Sequence, residues 1–580
     1  PNQPHTSFRV ARAKGEILCL ADPSGNILDK MVLPTVPTNV SYGRTMGRAG
    51  FFYYKAPTPN AANEGGFEGY APAPVMAVDP GMHYSTVRTT ISIPEGTQVF
   101  YTNDGSEPGE NATLYNGETL EINFTTVIRA RAFSTQGLEP SDITTATYFI
   151  NTYHSLPVVS LVVDPYELYN PENGLLTVGP DVDKSVFPFK NTIYRQFGKI
   201  GRPGHVEYYT LDGTQALCQG TEVELQGQYS LDMPQKTFKL RAKSLYGAKM
   251  FPYPLFPDRP YTEYKSFVLR NSGNDNVWTR LLDGFQSRLL DAYGATVIHQ
   301  AWNPVVVYLN GVYWGHYNMR ERVDRFFVAQ HEGISLHDAA NMTILEANGK
   351  IKWGNRKEHR AMIEKFKKLS PGTNAEDMQY IADRVDLDNF IEYTAFEMFF
   401  GNSDPGNIRY YKLNKEGAKW KWIFYDADYG LFNASFNSPA SYTKAKGMGQ
   451  QKIDNTILLK LLENEEYRDK FFRKLGHVFQ TFTTEYMTAV LDPMVELIKP
   501  EMQLHWSRWG EENDPAIIAE APRTADGAYR YWEQRINRLR NTLKKRPHLF
   551  WGMVQETFKL SNEQMLEYFG PRPEMPADAI

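Results

Sequence analysis

Through residues 1–150, apolar and polar side chains alternate in short runs broken by turn residues, the pattern of strands buried on one face. FRVAR (8–12), EILCLAD (16–22) and ILDKMVL (27–33) read as strands, and the DPSGN turn at 22–26 joins the last two. A stretch rich in Gly, Pro and Ala at 63–74 reads as a linker. Beyond it TTISI, TQVFYT, TLEINF, TVIRARAF and ITTATYFI recur at β-sandwich spacing. From residue 156 strands and helices mix. Strands are expected at VVSLVVD (158–164), VEYYTL (206–211), TEVELQG (221–227), TFKLRAKS (237–244) and SFVLRNS (266–272). Apolar residues at helical spacing predict a helix over 277–293 that stops before Gly294. Asn310 and Gly311, set between two β-rich runs, mark the clearest hairpin in the chain, and a helix is expected from Val323. Lysine-rich 350–368 reads as a mostly solvated helical face. The last third reads as helices over 456–482, 486–504 and 529–545, followed by a tail.

Within this pattern, residues 386–430 concentrate the chemistry. A hydrophobic helix leads into a polar loop with Asp404 and Asn407, and a hairpin follows whose second strand ends on Asp426 and Asp428. Three carboxylates and a carboxamide are hard oxygen donors of the kind Mg²⁺ takes, often with a substrate phosphate in its shell. The sequence leaves open which of Asp426 and Asp428 holds the ion.

Composition narrows the classes. A chain of 580 residues is too long for one ordinary core, so two to four domains are expected. With 42% hydrophobic and 22% charged residues it is globular. A net charge of −5 argues against a binder that works by neutralising nucleic-acid phosphates. Two cysteines, Cys19 and Cys218, cannot make a Cys₄ zinc site, and they fall in different expected domains, so a disulfide is not the default. No apolar run reaches the roughly eighteen residues of a membrane span. Walker, GxGxxG, HExxH and GxSxG motifs are all absent. The opening at Pro1, without Met or signal peptide, reads as a mature fragment.

Three resemblances follow from longer motifs. ILDKMVL, SYGR (41–44) and APTPNAAN (56–63) resemble the closing half of a lamin-tail domain, an immunoglobulin-like sandwich. VFYTNDGSEP (99–108), Leu114-Tyr115 and TVIRARA (126–132) resemble the small β-sandwich appended to chitobiases and hexosaminidases. Residues from about 156 to 550 resemble the CotH kinase family, a spore-coat-protein-H-like group of atypical protein kinases. GQYSLDMPQKTFKL (227–240), FVLRN (267–271), YLNGVYWG (308–315), RERVD (320–324), NSDPGN (402–407) and FYDADYG (424–430) carry that last likeness, in the family's order. Gln226 stands where the family usually has Arg, and Tyr425 where it usually has Trp.

The resemblances imply a multidomain chain. Two N-terminal β-sandwich (Ig-like) modules, at 1–65 (partial, lamin-tail-like) and 66–152, precede an α+β atypical protein-kinase-like domain at 153–570 with a helical C-terminal lobe; 571–580 is a tail. They also imply ATP and Mg²⁺ (or Mn²⁺) as cofactors. The γ-phosphoryl group would pass to Ser or Thr of a protein substrate, a cell-surface or coat protein, in a secreted or cell-surface bacterial setting. Because phosphoryl transfer is mostly positioning and charge stabilisation, Asp404 would orient the acceptor hydroxyl and take its proton. Asn407, Asp426 and Asp428 would hold the metal. Lys236 and Lys239 would serve the phosphates, with Glu321 as an ion-pair carboxylate. Three residues apart on a strand, only one of the two lysines can face the site, and Lys236 matches the family's lysine. The alternative is a surface adhesion or scaffold protein with a silent kinase-like domain, whose N-terminal modules contact glycans or protein.

Overall fold

The computed structural model describes residues 10, 15–445 and 452–577. The expected strand FRVAR lies, apart from Val10, outside them. Near the N-terminus, Ile17–Ala21 pairs with Ile27–Val32, and Ser41–Gly43 with Phe52–Tyr54. These are separate two-stranded ribbons, and among the described residues they do not close into the expected sandwich. The next module has five strands in the order Gly81–His83, Thr144–Ile150, Thr126–Ser134, Thr97–Thr102, Thr113–Tyr115. A ribbon of Val87–Thr89 and Leu120–Ile122 completes it, and Val99, Tyr115, Ile122, Ile128 and Tyr148 form its core.

A closed seven-stranded barrel follows, in the order Val158–Val162, Arg202–Tyr209, Gln215–Gln226, Thr237–Arg241, Ser266–Arg270, Val312–Glu321, Trp302–Leu309. Every pairing is antiparallel except the closing one, where Val158 lies beside Val306 in parallel. The turn of the last hairpin is Asn310-Gly311, both left-handed (φ 50° and 77°), the conformation a two-residue hairpin turn demands. Strict alternation sends Val223, Leu225, Phe238, Leu240, Phe267 and Leu269 into the barrel core and leaves Glu224, Lys239 and Arg270 on the outside.

A four-stranded sheet, ordered Lys350–Trp353, Met342–Glu346, Arg409–Leu413, Lys421–Ile423, stands beside the barrel. Its first strand corrects the reading of 350–368 as helical, since helix begins only at Lys357–Phe366. The 277–293 helix likewise starts later, at Leu282–Tyr293, and ends on left-handed Gly294 as expected. The C-terminal region is helical: Thr456–Glu463, Glu465–Thr481, Thr484–Trp509, Ala525–Phe558 and Asn562–Phe569. These helices enclose Leu387–Phe400, whose Phe390, Phe396, Phe399 and Phe400 are buried. At roughly 1.5–3 kcal/mol per buried large apolar side chain, this one helix anchors the region. No described helix is long and apolar enough to cross a membrane, and both cysteines are free and exposed.

Candidate functional site

A cleft of ≈ 1050 Å³ opens between the outer face of the barrel, the four-stranded sheet and the loop after Leu387–Phe400. On the barrel side Glu224 and Lys239 are directly opposite across neighbouring strands, and their side chains form an ion pair within the cleft wall. Burial and the nearby Arg322 lower the Lys239 pKa, while Glu224 opposes that fall. Gly227, left-handed at φ 126°, turns the chain out of the Glu224 strand into a segment whose Gln228, Tyr229 and Ser230 also line the cleft.

The opposite wall is the 386–430 stretch. Asp386 caps the helix by accepting from the Asn389 amide at 3.1 Å, and left-handed Gly401 ends it. Asp404 then follows in a turn closed by its own amide on Asn402 Oδ1 (3.1 Å), and Pro405–Asn407 is a single 3₁₀ turn. The second hairpin strand ends at Ile423, short of both later aspartates. Beyond the strand end, Asp426 is left-handed at φ 58°. Asp426 Oδ1 (2.5 Å) and Asp428 Oδ2 (3.1 Å) meet the same nitrogen, Arg270 Nη2.

Charge is concentrated here. Burial together with Asp426 drives the Asp428 carboxyl well above the ordinary range, although Arg270 and the Asn274 amide, 2.9 Å from Asp428 Oδ2, oppose the rise. Asp404 is raised for the same two reasons, burial and the charge of Asp426. Burial alone would lower the Arg270 pKa, but Asp426, Asp283 and Asp428 outweigh it and hold the guanidinium more firmly charged. Gly273 fits between them at φ 61°, where a Cβ would stand 2.4 Å from Asp428 Oδ2 and 2.6 Å from Arg270 Nη2. On the sheet side Arg409 Nη2 donates to Glu346 Oε2 at 2.6 Å, and its guanidinium lies over the Tyr425 ring.

Two sequence-based expectations are corrected. Lys236 does not line the cleft: it shares strand parity with core residues Phe238 and Leu240, and its buried Nζ donates to the carbonyls of Leu231 (2.6 Å) and Met233 (2.8 Å). Glu321 is buried behind the barrel hairpin, accepting from the Ala301 amide at 2.8 Å and facing His331 and Arg259. Of the two candidate lysines it is Lys239 that lines the cleft, and its acidic partner is Glu224. Asp404, Asn407, Asp426 and Asp428 share that cleft with it. Sequence reasoning assigned no role to Glu224, Arg270 or Gly273. The Glu224–Lys239 pairing was in principle available from strand parity; the Arg270 bridge, made across more than 150 residues of chain, was not.

Among the described residues no three His, Cys, Asp or Glu side chains form a metal-holding cluster. An ion that uses one or two carboxylates and completes its shell with water and phosphate does not need one. Asp426, Asp428 and Asn407 supply the oxygen donors such an ion takes, with Asp426 and Asp428 held side by side on Arg270.

A barrel and a helical region flanking a cleft lined by charges of both signs, with a β-module in front, define a multidomain α+β protein. The model of the CotH kinase protein family matches residues 223–550, so the chain belongs to that family. The model of the chitobiase/beta-hexosaminidase C-terminal domain matches residues 78–145. No curated protein matches the chain significantly.

Proposed function

We propose that the protein is an atypical protein kinase, secreted or at a bacterial cell surface, which transfers the ATP γ-phosphoryl group to Ser or Thr of a protein. The observation that carries this reading is the convergence on one cleft of the Lys239–Glu224 pair, Asp404, Asn407 and the Asp426–Asp428 turn. Asp404, raised by burial and by Asp426, is a stronger base than an ordinary carboxylate and is suited to receive the acceptor's hydroxyl proton. Lys239, kept in place by Glu224, offers a cation to the phosphates. Asp426, Asp428 and Asn407 would hold Mg²⁺ or Mn²⁺, which would neutralise phosphate charge when bound. Arg270 keeps the two aspartates on one side. The barrel and helical region are read as the lobes of a kinase-like fold.

Gln226 lines the cleft where the family usually has Arg, and that residue favours the second reading, a silent domain in a scaffold protein. Calorimetric titration with ATP, with and without Mg²⁺ or Mn²⁺, separates the two. Metal-dependent binding, with Asp404→Asn retaining ATP but losing transfer on the order of 100-fold or more, is expected for a kinase. Absence of metal-dependent ATP binding would overturn the proposal.

A further inference from the structure

The module at 78–145 and the segment that leaves it expose three large aromatic side chains: Tyr84 is 69% exposed, Phe124 72% and Tyr153 71%. A single exposed aromatic needs no explanation, but a cluster of them marks a contact surface. Tyr84 and Tyr153 stack, with ring centroids 5.5 Å apart and planes at 25°. The loop carrying Phe124 is tied to both tyrosine loops: Thr86 Oγ1 donates to Asn123 Oδ1 (2.8 Å), and the hydroxyls of Thr125 and Thr152 meet at 3.3 Å.

Each ring also projects from backbone that is held in place. Thr125 Oγ1 accepts from the Ile150 amide at 3.2 Å, and Thr152 donates to the Ile150 carbonyl at 3.1 Å. On the other side of Tyr153, His154 bridges Tyr308 Oη and Glu501 Oε2, both at 2.9 Å. Rings fixed this way lose little entropy when something binds, and that is how aromatic contact residues gain affinity.

Residues 83–86, 123–125 and 151–153 contain no Asp, Glu, Lys or Arg; the residues flanking the rings in sequence, Ser85, Thr86, Asn123, Asn151 and Thr152, carry neutral hydroxyls and amides. An aromatic face beside neutral hydrogen-bonding groups suits a ligand with apolar C–H faces and hydroxyl edges. We propose that Tyr84, Phe124 and Tyr153 form a binding platform for a neutral polysaccharide, pyranose rings packing on the aromatic faces. None of the three rings lines the cleft, so the platform does not depend on the phosphoryl-transfer reading.

The test is co-sedimentation of the full chain with insoluble chitin, cellulose and xylan, repeated for Tyr84→Ala, Phe124→Ala and Tyr153→Ala. Because these side chains are solvent-exposed, the variants are expected to keep the wild-type melting temperature. Binding to at least one polysaccharide, weakened tenfold or more by Tyr153→Ala and by one other variant, is the expected result. Failure to bind all three polymers overturns the proposal, as does binding the variants leave unchanged. Sedimentation velocity covers the other occupant: a wild-type dimer that Tyr153→Ala converts to monomer would make the patch a self-association surface and overturn the proposal too.

Discussion

At the scale of single residues, the cleft is defined by which side chain each backbone dihedral admits. Gly273 and Asp426 are both left-handed, and between them they bring Arg270, Asp428 and Asp426 together. Gly273→Ala would add a Cβ 2.4 Å from Asp428 Oδ2 on a backbone that L-residues adopt at a cost of about 1–2 kcal/mol. Gly117, at φ 93° with nothing within 4 Å of its would-be Cβ, is the matched control that carries only the backbone cost. Gly273→Ala is therefore expected to lower phosphoryl transfer at least tenfold, with Gly117→Ala near wild type; equal activity in the two variants would show that the Arg270–Asp428 contact does not matter. Residue identity was legible in the sequence where spacing is local. Asp404 and Asn407 lie three apart in one loop, and both line the cleft. Both lysines were open candidates, and Lys236 matched the family's lysine, yet parity with buried Phe238 and Leu240 turns it inward. Glu321 follows the same logic: it precedes the charged turn at Arg322 and Asp324, but its strand position faces Ala301 and His331.

At the scale of elements, periodicity carried most of the information. The barrel strands, the Asn310-Gly311 turn and the Leu387–Phe400 helix were all legible, because alternation, left-handed turn residues and apolar runs are local signals. Lys350–Trp353 was not legible: its lysines suggested a solvated helix, while its pairing with Met342–Glu346 depends on a strand four residues upstream and on charge at Glu346, which faces Lys350 and Lys352. The C-terminal end of Leu387–Phe400 depends on a residue far along the chain. Buried Arg546, on Ala525–Phe558, donates to the carbonyls of Phe399 (2.7 Å), Met398 (2.8 Å), Ala434 (3.0 Å) and Phe436 (2.8 Å), and to Ser438 Oγ (2.7 Å). Burial without a carboxylate pulls its pKa down to about 9. Those carbonyls close the helix two residues before the loop that carries Asp404, so Arg546 fixes the floor of the site from behind. Arg546→Met would leave several buried carbonyls unpaired, at about 3–5 kcal/mol. Chemical denaturation is expected to show a loss of that size with reduced transfer activity; an unchanged midpoint would mean that water replaces the guanidinium without cost.

At the scale of the whole molecule, the β-module is docked on the barrel rather than tethered beside it. Asn310, at the hairpin tip, exchanges hydrogen bonds with the backbone of Val163 and packs against Gly105, while the Glu107 amide donates to Asp164 Oδ2 at 2.9 Å. In the middle of this junction is Glu207, on a barrel strand and fully buried, accepting from Thr147 of the module (hydroxyl and amide), from Tyr209 Oη at 3.0 Å and from Gln215 Nε2 at 2.9 Å. Burial pushes its carboxyl up to about 7, even though the Thr147 and Tyr209 hydrogen bonds pull the other way. A carboxyl raised on folding binds its proton more tightly in the native state. Its stabilising share is thus complete below the unfolded value near 4.5 and is lost as pH rises through about 7. That window of about 2.5 units corresponds to roughly 3 kcal/mol. Of the titratable groups around it, Tyr209 is raised by burial and by Glu207 itself, and His205 is lowered by burial to about 3, so neither titrates between pH 5 and 8. Melting curves of the full chain are expected to fall more steeply between pH 5 and pH 8 than those of Glu207→Gln, which keeps the shape and removes the charge. The same slope in both proteins would place the pH sensitivity elsewhere and leave the junction indifferent to the ionisation of Glu207.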